Sequence, residues 1–170
     1  LLINTKNKNT MSTIAWGKPR IFAKKTGEST WKEVPTPKEG SVSLETSKGD
    51  KQEAKIEGGE YFDVKYNANT YALSFEEFIA KDREPSFTNV DGGVAGSFEF
   101  YLQPEDAAVP GFHITKGTIS AEHTYTVSDG ATVKYTIDAL KDGTHAQVEW
   151  GTVSVTENEG VISNIAIQLV

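Results

Sequence analysis

The stretch GTISAEHTYTVSDGATVKYTIDALKDGTHAQVEWGTVSV, residues 117–155, decides the fold class. Ile119, Ala121, His123, Tyr125 and Val127 fall on one face of an extended segment. Val133, Tyr135, Ile137 and Ala139 fall on one face of the next, across a turn at Asp129-Gly130. Apolar residues at a period of two mark half-buried strands. Asp142-Gly143 has the composition of a two-residue type I′ loop. The register it sets predicts Ala139 opposite Ala146, Ile137 opposite Val148 and Tyr135 opposite Trp150, which assigns Trp150 to the core.

Outward from this meander the chain continues as short strands. IAW at 14–16, RIFA at 20–23 and TWKEV at 30–34 are divided by Pro19 and Gly27, and Pro35 and Pro37 stiffen the approach to residue 41. EYFDVKY at 60–66, SFEFYL at 97–102 and VISNIAIQLV at 161–170 read as further strands. Between them, Tyr71 and Leu73 extend a strand into residues 74–84. There Ser74 with Glu77 forms a capping box, Phe75, Phe78 and Ile79 recur at helical spacing, and Pro85 marks a stop. One short helix is expected there. FTNVDGGVAG at 87–96 is too glycine-rich to be regular and reads as a mobile loop. Around ten strands and one flanking helix predict a mainly β chain, a β-sandwich or flattened barrel. At 170 residues with 37% hydrophobic side chains, one domain over residues 13–170 is expected, behind a loose polar tail at 1–12.

The segment SVSLETSKGDKQEAKIEGGE, residues 41–60, departs from this pattern: it carries many charges and a thin apolar face. A three-residue loop over residues 49–51 pairs Leu44 with Ile56 and Glu45 with Lys55, apolar with apolar and opposite charges together. A two-stranded ribbon of this kind is marginal alone and seeks another surface, on its own sheet or on a neighbouring subunit. Its candidate contact residues are Leu44, Glu45, Lys48, Asp50, Lys51, Glu53, Lys55 and Ile56.

Charge is distributed unevenly. Residues 1–56 hold 11 Lys/Arg against 6 Asp/Glu, whereas residues 57–170 hold 6 against 18. An acidic body disfavours tight nucleic-acid binding, and the split suits a head-to-tail contact between copies. The chain has no cysteine, so disulfides and thiolate metal sites are excluded. No stretch approaches the ~20 apolar residues of a membrane span, and neither a membrane anchor nor a signal peptide is expected.

Residues for chemistry are sparse. His123 lies on the apolar face of its strand, while His113 in GFHI and His145 beside Asp142-Gly143 complete a set without metal-pair spacing. Glu76-Glu77 and Glu105-Asp106 read as solvated surface rather than acid/base pairs. Asp91-Gly92 lacks the further ligands of a calcium loop, and neither a nucleophile elbow nor a phosphate loop occurs. No enzyme, no cofactor and no metal are expected. Trp16, Trp31, Trp150, Tyr61, Tyr66, Tyr71 and Tyr101 leave a second reading, a carbohydrate-binding or adhesive β-sandwich.

WGKP at 16–19, PTPKEG at 35–40, LETSKGDKQEAKIEGGE at 44–60, NTYAL at 69–73, LQPED at 102–106, DALK at 138–141 and VEWGTV at 148–153 together resemble the phage major tail tube protein family, in particular tube proteins of Bacteroidota prophages. The resemblance implies a β-sandwich or barrel with a flanking helix and a homo-oligomer of six-membered rings closed by sheet edges. Those rings stack into a tube of a phage tail, tailocin or contractile injection system, with a hairpin reaching the next ring. Segment 44–60 is the matching piece. It also implies sheath, terminator or baseplate proteins as partners, DNA or another payload passing through the lumen without specific binding, no membrane, and a virion tail made in the bacterial host cytoplasm.

Overall fold

The computed structural model describes residue 14 and residues 16–170; the tail expected at 1–12 lies outside them. Thirteen strands form: β1 (Arg20–Lys25), β2 (Lys32–Glu33), β3 (Ser43–Ser47), β4 (Lys51–Lys55), β5 (Tyr61–Tyr66), β6 (Thr70–Phe78), β7 (Asn89–Val90), β8 (Gly93–Val94), β9 (Phe98–Gln103), β10 (Gly111–Thr126), β11 (Gly130–Ala139), β12 (Val148–Asn158) and β13 (Val161–Leu169). The chain is mainly β and sandwich-like, its sheets do not close into a barrel, and no helix forms among the described residues.

The 16-residue β10 organises the body. Its first half lies between β9 and β12, with Phe112 opposite both Leu102 and Trp150. Past an irregularity between Ile114 and Gly117, its second half pairs β11. Gly117 is needed at this handover, because a Cβ there would meet Ile137 Cγ2 at 2.6 Å. The β10–β11 register follows the alternation of the sequence: Ile119 opposite Ile137, Ala121 opposite Tyr135, His123 opposite Val133. Sheet order then runs from β11 to β6 and β3, with Ile137 opposite Leu73 and Leu73 opposite Leu44.

Several expectations fail here. β12 does not pair β11. The turn at Asp142-Gly143 closes only locally, through the His145 amide donating to the Asp142 carbonyl at 2.8 Å, and the chain crosses to the far half of β10. Trp150 therefore sits beside Phe112, rings 5.4 Å apart, and is half-exposed rather than core. The helix at 74–84 is absent because residues 74–78 continue β6 as a ladder along β11, which outweighs one helical turn; Ser74 Oγ meets Ser43 Oγ of β3 at 2.9 Å instead of capping. Residues 87–96 are not an irregular loop but carry the β7–β8 hairpin, whose Gly92 carbonyl accepts from the Ala121 amide at 2.8 Å. Neither Ile14 nor Trp16, both exposed, belongs to a strand.

Two apolar clusters hold the body. The larger joins Ile21, Phe75, Phe100, Ile114, Ile119, Tyr135 and Ile137. On the opposite face of β1 and β9, Phe22 and Tyr101 are covered by Val153 and Ile165 from the β12–β13 hairpin. Gln103 Nε2 donates to the Val153 carbonyl at 2.9 Å, and the Arg20 guanidinium bridges Glu33 and Glu157, tying that hairpin down. Each fully buried large side chain contributes roughly 1.5–3 kcal/mol.

Candidate assembly arm

β3 does not turn back at Gly49 to meet β4. It pairs β6 (Leu44 opposite Leu73, Glu45 opposite Ala72), while β4 pairs β5 (Lys51 opposite Tyr66, Glu53 opposite Val64). The expected pairing of Leu44 with Ile56 and Glu45 with Lys55 is therefore overturned. Gly49 is a neck, where two strands pass too closely for a side chain: a Cβ there would lie 2.0 Å from the Asn67 carbonyl oxygen. The Gly49 amide donates to Asn69 Oδ1 at 3.0 Å, and the Asn67 amide donates to the Asp50 carbonyl at 2.9 Å. The reversal comes later, at residues 57–60, where the Ile56 amide donates to the Glu60 carbonyl at 3.0 Å.

The ribbon is thus shifted along the chain, to residues 51–66 instead of 41–60, and every residue of β4 and β5 is exposed. Leu44 and Glu45 lie on the body, Lys48 and Asp50 at the neck, Lys51, Glu53 and Lys55 along β4, and Ile56 at the tip. Tyr61, Phe62, Val64 and Tyr66 join them; Phe62 is 78% exposed. These four escaped sequence reading because EYFDVKY alternates like any body strand. The usable signal was Gly58-Gly59 between two strand-like runs, a hairpin turn in its own right.

One ribbon face is ordered by charge and ring together. Glu53 bridges Lys51 at 2.9 Å and Lys55 at 3.4 Å; Lys51 Nζ donates to the Tyr61 hydroxyl at 3.1 Å. Lys51 lies 4.3 Å and Lys55 5.1 Å from the Tyr61 ring centre, and Lys48 lies 4.9 Å from that of Tyr66. The Glu53 hydrogen bond, helped by the Tyr61 hydroxyl, raises the Lys51 ammonium well above its ordinary range, and Lys51 in turn lowers Glu53. Residues 48–66 hold four lysines and five carboxylates from Asp50, Glu53, Glu57, Glu60 and Asp63, so the surplus of cations in residues 1–56 does not concentrate on the ribbon. Its unsatisfied property is apolar surface.

Two polar clusters lie inside the body. His113, from which no chemistry was expected, is buried with its ring stacked on Tyr101 at 4.1 Å. Its Nε2 lies 2.7 Å from Glu99 Oε1; its Nδ1 is 3.3 Å from Glu149 Oε1 but off the line of a hydrogen bond. Burial pushes the Glu99 carboxyl up, yet the hydrogen bond and charge of His113, with Lys24 at 3.5 Å, outweigh it and hold Glu99 below its ordinary range. Burial between these carboxylates pushes the Tyr101 hydroxyl up to about 12. Glu77, read from sequence as solvated, is 1% exposed, and accepts from the Ser86 amide and hydroxyl, both at 2.7 Å, and from the Tyr135 hydroxyl at 3.1 Å. Its neighbour Val133 and the ladder with β11 turn it inward. His123, expected to be core or half-buried, is exposed and meets Asn89 Nδ2 at 2.9 Å. Among the described residues, no three His, Asp or Glu side chains converge as a metal-binding group.

Comparison with protein-family models and with curated proteins finds no match for the chain.

Proposed function

We propose that this chain is a structural subunit that assembles with copies of itself into stacked rings, forming a tube of the phage-tail or injection-system type. The observation that carries the reading is the ribbon of β4 and β5, which exposes Ile56, Tyr61, Phe62, Val64 and Tyr66 with no covering element among the described residues. An isolated two-stranded ribbon is marginal in water, and such a strip of aromatic surface is an interaction site by default. The outer edges of β3 and β13 pair with no strand among the described residues, which supports lateral closure of a ring through sheet edges. The resemblance of segment 44–60 to tail tube proteins supplies the ring-and-tube geometry, with six copies per ring. It also supplies sheath, terminator and baseplate proteins as partners and DNA or another payload as cargo. The acidic balance of residues 57–170 suits a lumen that repels phosphate.

Electron microscopy of the purified protein, with sedimentation over a concentration series, tests this. Rings or tubes support it; a solitary particle at high concentration rejects it. The exposed Tyr61, Phe62 and Tyr66 also favour a second reading, a carbohydrate-binding or adhesive module, for which binding to a glycan array by a solitary chain is the expected result.

A further inference from the structure

We infer that His113 is a proton-operated clip for the β12–β13 hairpin, closed when both ring nitrogens carry hydrogen and open when one does not. The hairpin has few other ties to the body. Its ladder with β10 runs over four pairs, from Gly111 opposite Gly151 to Ile114 opposite Val148, and beyond them β12 pairs β13 alone. Val153 and Ile165 then rest on Phe22 and Tyr101, Gln103 holds the Val153 carbonyl, and Arg20 reaches Glu157. His113 stands at the root of this hairpin, directly opposite Glu149 on β12 and Tyr101 on β9.

Stacking on Tyr101 fixes the direction of the ring, Nε2 toward Glu99 and Nδ1 toward Glu149. A ring with one proton cannot serve both carboxylates. With the proton on Nε2, Glu99 receives its hydrogen bond while the bare lone pair of Nδ1 faces Glu149 at 3.3 Å. With the proton on Nδ1, the repulsion moves to Glu99 at 2.7 Å. The observed geometry has the first form, Nε2 engaged and the buried Nδ1 without a partner. The surrounding charges call for a second proton. Glu99 and the Tyr101 hydroxyl face the ring from β9, Glu149 from β12, and Lys24 from β1, 3.5 Å from Glu99; β13 carries no charged side chain. Two carboxylates thus share one lysine. Glu149, its side chain 15% exposed, has no cationic partner among the described residues except this ring, and Thr115 Oγ1 gives it only a neutral hydrogen bond at 3.3 Å. A small rotation of Glu149 onto the line of a protonated Nδ1 joins β9, β10 and β12 through one imidazolium. The ring gains its partner by gaining a proton, so the hold on the hairpin is complete at low pH and is lost as pH rises through the titration of the ring.

Amide hydrogen exchange of the full chain between about pH 5 and 8, expressed as protection relative to the intrinsic rate, tests the clip. It is made at a concentration too low for copies to associate, which separates it from the assembly reading. Protection along β13, and along β12 beyond Gly151, is expected to fall roughly 10–100-fold as pH rises, the worth of one charge-assisted hydrogen bond, while β6 and β11 keep theirs. Glu149→Gln is expected to abolish that fall, because its amide donates to a bare Nδ1 and its carbonyl accepts from a protonated one. A chain with His123→Gln and His145→Gln, both exposed positions, retains His113 as its one imidazole. Its ring titration by NMR is expected to share a midpoint with the loss of hairpin protection. Protection independent of pH, a fall that survives Glu149→Gln, or a ring midpoint apart from that of the hairpin overturns the clip. Should Glu149→Gln misfold, the exchange series and the ring titration decide with Glu149 in place.

Discussion

His113 is buried against Tyr101 with a carboxylate on either side, and its hydrogen bond and charge hold the Glu99 carboxyl below its ordinary range. Its folded value is depressed, so its charge contributes stability that is complete above the ordinary carboxylate range and is lost as pH falls through the lowered folded value. Glu99→Gln is therefore expected to cost about 1 kcal/mol at neutral pH. The gap from the unaltered chain should close in acid, read from urea midpoints over a pH series; a gap independent of pH rejects this account. Tyr135 presents a different case. Its hydroxyl donates to Glu77, accepts from the Phe87 amide at 3.3 Å, and is pushed upward by burial. Tyr135→Phe removes one of the three donors to a buried carboxylate and leaves the Phe87 amide without its acceptor. Roughly 1–3 kcal/mol of global stability should be lost, measured by chemical unfolding.

Among the elements, the arm depends on its neck. Gly49→Ala drives a methyl group into the Asn67 carbonyl. Amide hydrogens of residues 51–66 should then exchange faster while those of β10 and β11 keep their protection, because the ribbon contributes nothing to the core. Exchange in residues 51–66 that is unchanged by the substitution refutes the role given to the neck.

What alternation can and cannot reveal is plain at this level. Ile119, Ala121, Ile137 and Tyr135 announce β10 and β11 because one short turn joins them and both faces agree. The partner on the other side of β11 is β6, some sixty residues upstream, and no local pattern names it. Asp142-Gly143 has the composition of a hairpin loop, yet the competition of β6 for the β11 edge removes β12 from that place. Ser74 and Glu77 spell a helix start, but the ladder with β11 and the inward demand of Ser86 and Tyr135 override it. In the arm, the charges of Lys51, Glu53 and Lys55 marked an exposed ribbon, while its reversal was misplaced. Gly49 is conspicuous as a turn former and equally at home where two backbones nearly touch.

For the whole molecule, the mixed charge and aromatic strip of the ribbon predict association driven by apolar burial. Raising ionic strength from about 0.05 to 0.5 M, which shortens the screening length severalfold, should leave the assembly intact. Phe62→Glu should weaken it by roughly 10–100-fold, since covering one such ring is worth about 1.5–3 kcal/mol. Sedimentation at both salts decides between this and a contact held by ion pairs, which would dissolve at the higher salt.

β10 belongs to both halves of the body, laddered to β9 and β12 along its first part and to β11 along its second. Tension applied between the neck, at the Thr70 end of β6, and the β10–β11 turn, at its Phe78 end, runs lengthwise along the β6–β11 ladder. It loads the hydrogen bonds side by side in shear, so they must yield together rather than peel one at a time. A single molecule stretched between residues 58 and 128 should therefore resist more than one stretched between 43 and 74, a pair directly opposite at the end of the β3–β6 ladder, which opens like a zip. A chain so built is tough along its strands and weak across them.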